Sequence, residues 1–166
     1  AYVMASSGEA VTYRQLEDRS NQFAQLLRAR GLVAGDHIAV MLENHPRFFE
    51  ILWGAQRAGI IYTAISSRLT ADEAAYIVND CAARLVVSSR ALAEVATALP
   101  AHCLAVRSWL MIDAQPAGWE SFAQALGQHP ARRIADETAG TDMLYSSGTT
   151  GRPKGVFVVP ELPAID

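Results

Sequence analysis

The chain has 166 residues, 51% of them hydrophobic and 19% charged, enough apolar side chain to bury one ordinary globular core. A formal net charge of -3 and a pI near 5.8 exclude the basic footprint that tracks a nucleic-acid backbone or an anionic membrane. No apolar run reaches the roughly 18 residues of a spanning helix, and AYVMASSGEAVTY has no basic segment ahead of an apolar one, so neither a membrane span nor a secretory leader is expected.

Thr12 and Gln15 form a capping box ahead of Leu16, Phe23 and Leu27, which predicts a helix stopped by Gly31. His37 to Leu42 predicts a strand. Pro46 then opens a second helix through Phe49, Leu52 and Trp53 to Gly59, with Trp53 assigned to the core. Ile60-Ile61-Tyr62 reads as the next strand, and a second capping box, Thr70 with Glu73, starts a helix carrying Ala74, Ile77 and Val78. Arg84 to Val87 predicts a strand, Ala91 to Leu99 a helix with Leu92, Val95 and Leu99 inward, and Cys103 to Val106 a further strand. Residues 115–141, punctuated by Pro116, Gly118, Gly127, Pro130 and Gly140, form a connector with one helix around Trp119, Phe122 and Leu126. Strands and helices taking turns imply parallel strands joined by crossover helices. The fold class is therefore α/β, a layered and mostly parallel sheet.

Few scattered residues promise chemistry. Cys81 and Cys103 stand in apolar stretches outside any metal-ligand spacing and read as buried free thiols, which suits the reducing cytoplasm. His37, His45, His102 and His129 show no ligand spacing, so no metal site is expected. Asp136 and Glu137 are adjacent, point apart, and read as a solvated turn.

The stretch MLYSSGTTGRPKGVFVV, residues 143–159, is different: an apolar strand, a cluster of hydroxyls and glycines with one lysine, and a second apolar strand. Gly148 and Gly151 can reach positive φ and let a bulky anion approach the backbone, so that successive N–H groups turn inward as a nest. Ser146, Ser147, Thr149 and Thr150 add hydroxyl donors, Lys154 a full positive charge, and Pro153 stiffness beside it. The alternative is a solvated Gly/Ser/Thr hairpin whose lysine serves solubility. A Walker-type loop needs Gly-Lys followed by Ser or Thr opening a helix; here Gly155 follows the lysine and Val156 to Val159 is β-prone. The dinucleotide pattern G-x-G-x-x-G is also missing.

The string from Tyr145 to Gly155, YSSGTTGRPKG, resembles the phosphate-loop signature of the adenylate-forming superfamily of acyl-CoA synthetases, luciferases and peptide-synthetase adenylation domains. Val11-Thr12-Tyr13-Arg14-Gln15-Leu16 is similar to an early block of that family, and the stretch from Asn44 through Gly59 to Leu69–Glu73 and Tyr76-Ile77 to its next one. The resemblance implies that residues 1–166 are part of the N-terminal subdomain of an AMP-binding domain, with a connector at 115–141 and a phosphate-binding loop at 145–155. It implies a two-step reaction: a carboxylate attacks the α-phosphate of Mg-ATP and releases pyrophosphate, then a thiol, usually that of coenzyme A, takes the acyl group. The expected ligands are thus ATP, Mg2+, coenzyme A and a carboxylic acid, by default a fatty acid. Ser146, Ser147, Gly148, Thr149, Thr150 and Gly151 are expected to wrap the β- and γ-phosphates, and Lys154 to offset charge on the departing pyrophosphate.

Two departures stand out. Ser146 occupies a place where threonine is commoner, which keeps the hydroxyl, whereas Phe157, Val158, Val159 and Pro160 fill the stretch where many members carry a histidine. The family's second nucleotide motif, ribose-binding aspartate, hinge and C-terminal catalytic lysine have no counterpart here, so the chain alone is expected to form no acyl-adenylate and to self-associate through surface that truncation exposes. The alternatives are a peptide-synthetase-type adenylation domain, a luciferase-like enzyme, or a non-catalytic binding module.

Overall fold

The computed structural model describes residues 1–146 and 152–157. Strand β1 (Tyr2–Val3) pairs antiparallel with β2 (Ala10–Val11), and helix α1 (Tyr13–Ala29) follows. Its start is the expected capping box: the Thr12 hydroxyl accepts from the Gln15 N–H, and the Gln15 side chain accepts from the Thr12 N–H at 2.9 Å. Then come β3 (His37–Met41), α2 (Phe48–Arg57), β4 (Ile61–Ile65), α3 (Ala71–Asp80, with the Thr70/Glu73 box) and β5 (Leu85–Ser89). The single α-turn α4 (Ala93–Ala96), β6 (Ser108–Ile112), β7 (Glu120–Ser121), α5 (Phe122–Gly127), β8 (Thr141–Asp142), β9 (Leu144–Ser146) and β10 (Lys154–Val156) complete the order.

Six strands form one parallel sheet in the order β7-β6-β5-β3-β4-β8, the architecture that the alternating pattern predicts. From β3 the chain crosses to β4 on one side, then returns over β3 to β5 on the other. Both faces are covered, so central strands are apolar at nearly every position. Ile38 and Val40 join Phe23, Leu27, Ile51 and Phe122 beneath α1, α2 and α5; Ala39 and Met41 join Ile77, Val78, Val86 and Leu99 beneath α3. Helices α1 and α2 approach closely at Gly54, where an added Cβ would sit 2.7 Å from the Ser20 carbonyl oxygen.

Several expectations need correction. Cys103 to Val106 is a turn, closed by the Val106 N–H donating to the Cys103 carbonyl, and the strand is Ser108–Ile112, whose ladder opens opposite Leu85. Cys103 and Val106 are buried, which explains the apolar run, but Leu104 is 88% exposed. The helix expected from Ala91 to Leu99 is one α-turn between two 3-10 turns, Arg90–Leu92 and Leu99–Ala101, the second containing Pro100. Trp53 is 49% exposed rather than in the core, because α2 turns Ile51, Gly54 and Ala55 toward α1 and the sheet. Nor is Glu137 solvated: its side chain is 6% exposed, paired with Arg133 and 3.8 Å from Arg57, while neighbouring Asp136 pairs with Arg28 at 3.0 Å.

The connector carries α5 as expected and also β7, and it is held to α1 by side chains: Gln22 donates to the His129 carbonyl and Gln25 to that of Arg132, each at 3.0 Å. Cys81 and Cys103 are buried and free. Among the described residues no helix is long and apolar enough to cross a membrane, and no group of three or more His, Cys, Asp or Glu could hold a metal ion.

Candidate functional site: the hairpin at the glycine-rich segment

The chain reaches the glycine-rich segment along β4, where the Met143 N–H donates to the Tyr62 carbonyl at 2.9 Å. It then enters an antiparallel ladder: Leu144 lies opposite Val156, Tyr145 opposite Gly155, and Ser146 opposite Lys154. Strands therefore flank the segment on both sides, but the second, expected from Val156 to Val159, is Lys154–Val156; Phe157 follows it and Val158 and Val159 lie outside the described residues. Ser147, Gly148, Thr149, Thr150 and Gly151 lie outside the described residues. Of the expected phosphate-binding residues, the ladder brings Ser146 and Lys154 face to face at the mouth of the loop, both exposed. Among the described residues Lys154 takes part in no ion pair. A hydroxyl and an ammonium at one mouth suit an anion.

Gly155 has a local reason. A Cβ there would meet the Met143 Cε at 2.5 Å and the Tyr145 Cζ and Oη at 3.2 Å each, so the bare backbone is the floor under the Tyr145 ring. The Tyr145 hydroxyl donates to Asp80 Oδ2 at 2.5 Å, and burial together with that bond pushes its pKa well above the ordinary phenol range. On either side of β10, the Arg152 guanidinium lies 5.2 Å from the centroid of the Tyr76 ring, and the Phe157 ring meets His37 at 5.8 Å.

Asp80 and Tyr76 were not legible as site residues. Their i, i+4 spacing puts them on one face of α3, but nothing local ties that face to a hairpin far along the chain. His45 falls elsewhere: its Nε2 is 3.5 Å from Asp113 Oδ2, and it lines a crevice of ≈ 610 Å³ with Asn44, Ser66 and Ser67 at the C-terminal ends of β3 and β4.

The model of the AMP-binding enzyme family matches residues 1–159. A long-chain-fatty-acid–CoA ligase from Mycobacterium tuberculosis is 33% identical over 162 residues, covering 94% of this chain and 31% of the relative. A fatty acid–[acyl-carrier-protein] ligase from Streptomyces coeruleorubidus is 32% identical over 151 residues, 91% of this chain and 28% of the relative. Among solved structures, the inhibitor-bound N-terminal domain of FACL13 from Mycobacterium tuberculosis superposes with a TM-score of 0.80 at 31% identity, covering 94% of this chain and 39% of that one. The chain thus spans about a third of the length of the curated relatives it matches.

Proposed function

The chain belongs to the AMP-binding enzyme family, and on that premise we propose that it supplies the phosphate-gripping part of an ATP-dependent acid–CoA ligase acting on a fatty acid. One observation carries the proposal: the ladder sets Ser146 opposite Lys154 at the two ends of the GTTG segment, with the lysine free of ion pairs among the described residues. In that reading Lys154 and the Ser146 hydroxyl meet the β- and γ-phosphates together with Ser147, Gly148, Thr149, Thr150 and Gly151. As the carboxylate oxygen bonds to the α-phosphorus and the bond to pyrophosphate breaks, negative charge gathers on the leaving group, where the ammonium stabilises it. Mg2+ would accompany the triphosphate and supply further charge compensation. Coenzyme A is the proposed acceptor, and the cytoplasm the proposed compartment, a reading supported by the two free thiols.

The test is titration of this chain with inorganic pyrophosphate and with ATP beside Lys154→Ala. Loss of binding in the variant supports the reading, and equal affinity for both proteins removes the loop from it. ATP–pyrophosphate exchange over a panel of carboxylic acids should stay at background, because the charge-stabilising loop is one wall of a site whose other parts have no counterpart in these residues.

The carrier-protein ligase among the relatives keeps a second acceptor open, a thiol on a carrier protein, which a thioester assay with the complete enzyme separates from coenzyme A. For the chain itself we propose self-association, supported by Leu144 and Val156, 55% and 59% exposed on the hairpin. Light scattering across a concentration series checks it, and a constant monomer mass counts against it.

A further inference from the structure

Two residues that flank the glycine-rich segment, one on β9 and one just ahead of β10, each make a directed contact with the same helix face. Tyr145, one residue before Ser146, donates its hydroxyl to Asp80 at 2.5 Å, and Arg152, two residues before Lys154, stacks on Tyr76 at 5.2 Å. Tyr76 and Asp80 stand four residues apart on α3, hence one turn apart on one side. Beyond the Met143 N–H bond to the Tyr62 carbonyl and the Phe157 ring against His37, the strands of the hairpin themselves offer little hold. They are three residues each, every position of β10 is exposed, and of β9 only Tyr145 is partly buried. A two-stranded hairpin of that size is marginal by itself. Helix α3, by contrast, is fixed by its capping box and by buried Ala74, Ile77 and Val78. Gly155 leaves room for the fit, because an added Cβ would stand 3.2 Å from the Tyr145 Cζ and Oη, closer than ordinary contact.

We propose that Asp80 and Tyr76 are positioning residues for phosphate binding: they clamp the two ends of the loop onto a rigid helix and so hold Ser146 and Lys154 in a binding-ready arrangement. The inference rests on the phosphate-loop reading above. Each acts at a distance from the anion, by fixing the backbone that carries Ser146 and Lys154 before the anion binds. A clamp of this kind predicts coupling within each pair, and rescue whenever the contact is kept with altered chemistry.

Pyrophosphate titration of the 166-residue chain tests it, with thermal melting of each variant as the check on folding. Tyr145→Phe and Asp80→Ala should each bind about fivefold more weakly than the parent, the factor expected for one well-formed hydrogen bond, and the double variant no more weakly than either alone. Asp80→Asn, which still offers a carbonyl acceptor, should recover most of the affinity, as should Tyr76→Phe but not Tyr76→Leu. A purely structural role would lower the melting temperature without this pattern of rescue. Should Asp80→Ala fail to fold, Tyr145→Phe, which removes a single oxygen, and Asp80→Asn carry the decision. Binding of Tyr145→Phe within about twofold of the parent while Lys154→Ala has lost it would overturn the clamp and leave the phosphate reading standing. A parent that binds no pyrophosphate, or binds it as Lys154→Ala does, would remove both.

Discussion

Gly54→Ala puts the packing of α1 on α2 to a quantitative test. The new methyl would lie 2.7 Å from the Ser20 carbonyl oxygen, 2.8 Å from the Phe23 Cβ and 2.9 Å from the Phe23 Cδ1. Comfortable contact begins at about 3.5 Å, so the helices must separate by several tenths of an ångström. Two of those three atoms belong to the α1 backbone or are attached directly to it, and a rotamer change cannot move them. Phe23 and Ile51 are fully buried at this seam, which puts the overpacking penalty at the upper end of its range, about 3 kcal/mol. Alanine returns about 1 kcal/mol of helix propensity, leaving a net loss of about 2 kcal/mol. For a chain of this size that loss lowers the melting temperature by about 6 °C, readable by circular dichroism or calorimetry. Gly127→Ala is the internal control: it ends α5 with no atom within 4 Å of the added methyl, and should raise the melting temperature by about 2 °C through propensity alone. A Gly54→Ala chain melting at or above the parent would refute the close approach on which the estimate stands.

Acid sensitivity follows from the carboxylates that face arginines. Burial alone would raise Asp36, but hydrogen bonds from Arg84 and the Val33 N–H bring it below its ordinary value, and Glu17 is held low first by its hydrogen bond from Arg57. The folded state then binds fewer protons than the unfolded one, so these contributions are complete above the ordinary carboxylate range, near pH 4, and drain away as pH falls through the lowered values. His37, lowered by burial against a smaller opposing pull from Asp36, loses stability in the same direction from its ordinary 6.5 downward, so Asp36→Asn should flatten only the lower part of a urea-midpoint profile against pH. Glu50, fully buried and accepting from Arg19 at 2.7 Å and Arg47 at 2.9 Å, should cost about 3 kcal/mol in urea denaturation when changed to alanine; a loss under about 1 kcal/mol would mean that water already solvates the pair. Burial pushes the Cys81 thiol up to about 11 and raises Cys103 as well, so Ellman's reagent at about pH 8 should find no fast thiol in the folded chain and two after denaturation.

What the sequence revealed tracks how local the determining forces are. Both capping boxes were legible because Thr12 with Gln15, and Thr70 with Glu73, complete their bonds within four residues. The parallel sheet was legible because strands covered on both faces are apolar at nearly every position, as β3 is from Ile38 to Met41. The strand β6 was placed too early because Cys103 to Val106 is apolar yet forms a turn with Leu104 exposed, whereas the ladder with β5 begins at Ser108, a polar but buried residue. Trp53 was misplaced because an apolar helical stripe cannot tell which edge a neighbour will cover; the neighbour met Gly54 instead. Glu137 read as solvent-facing because its partners, Arg133 apart, come from other elements.

The same division runs through the candidate site. Its chemistry is written in consecutive residues, since hydroxyls, glycines and a lysine within one short loop are local facts. Its placement is not, because Tyr145 finds Asp80 across 65 residues of sequence. That separation also bears on how the anion's charge is met. A loop that opens into a helix receives a partial positive charge from the aligned peptide dipoles at the helix start. Here the chain leaves the segment into a strand, β10, whose dipoles contribute little, so in the phosphate-loop reading we propose the full charge of Lys154 takes the place of that helix terminus. A single ammonium on a long flexible stem is useful only if its backbone is held still. The three-residue ladder of β9 and β10 is short for this, and the clamp we propose adds the rigidity of α3.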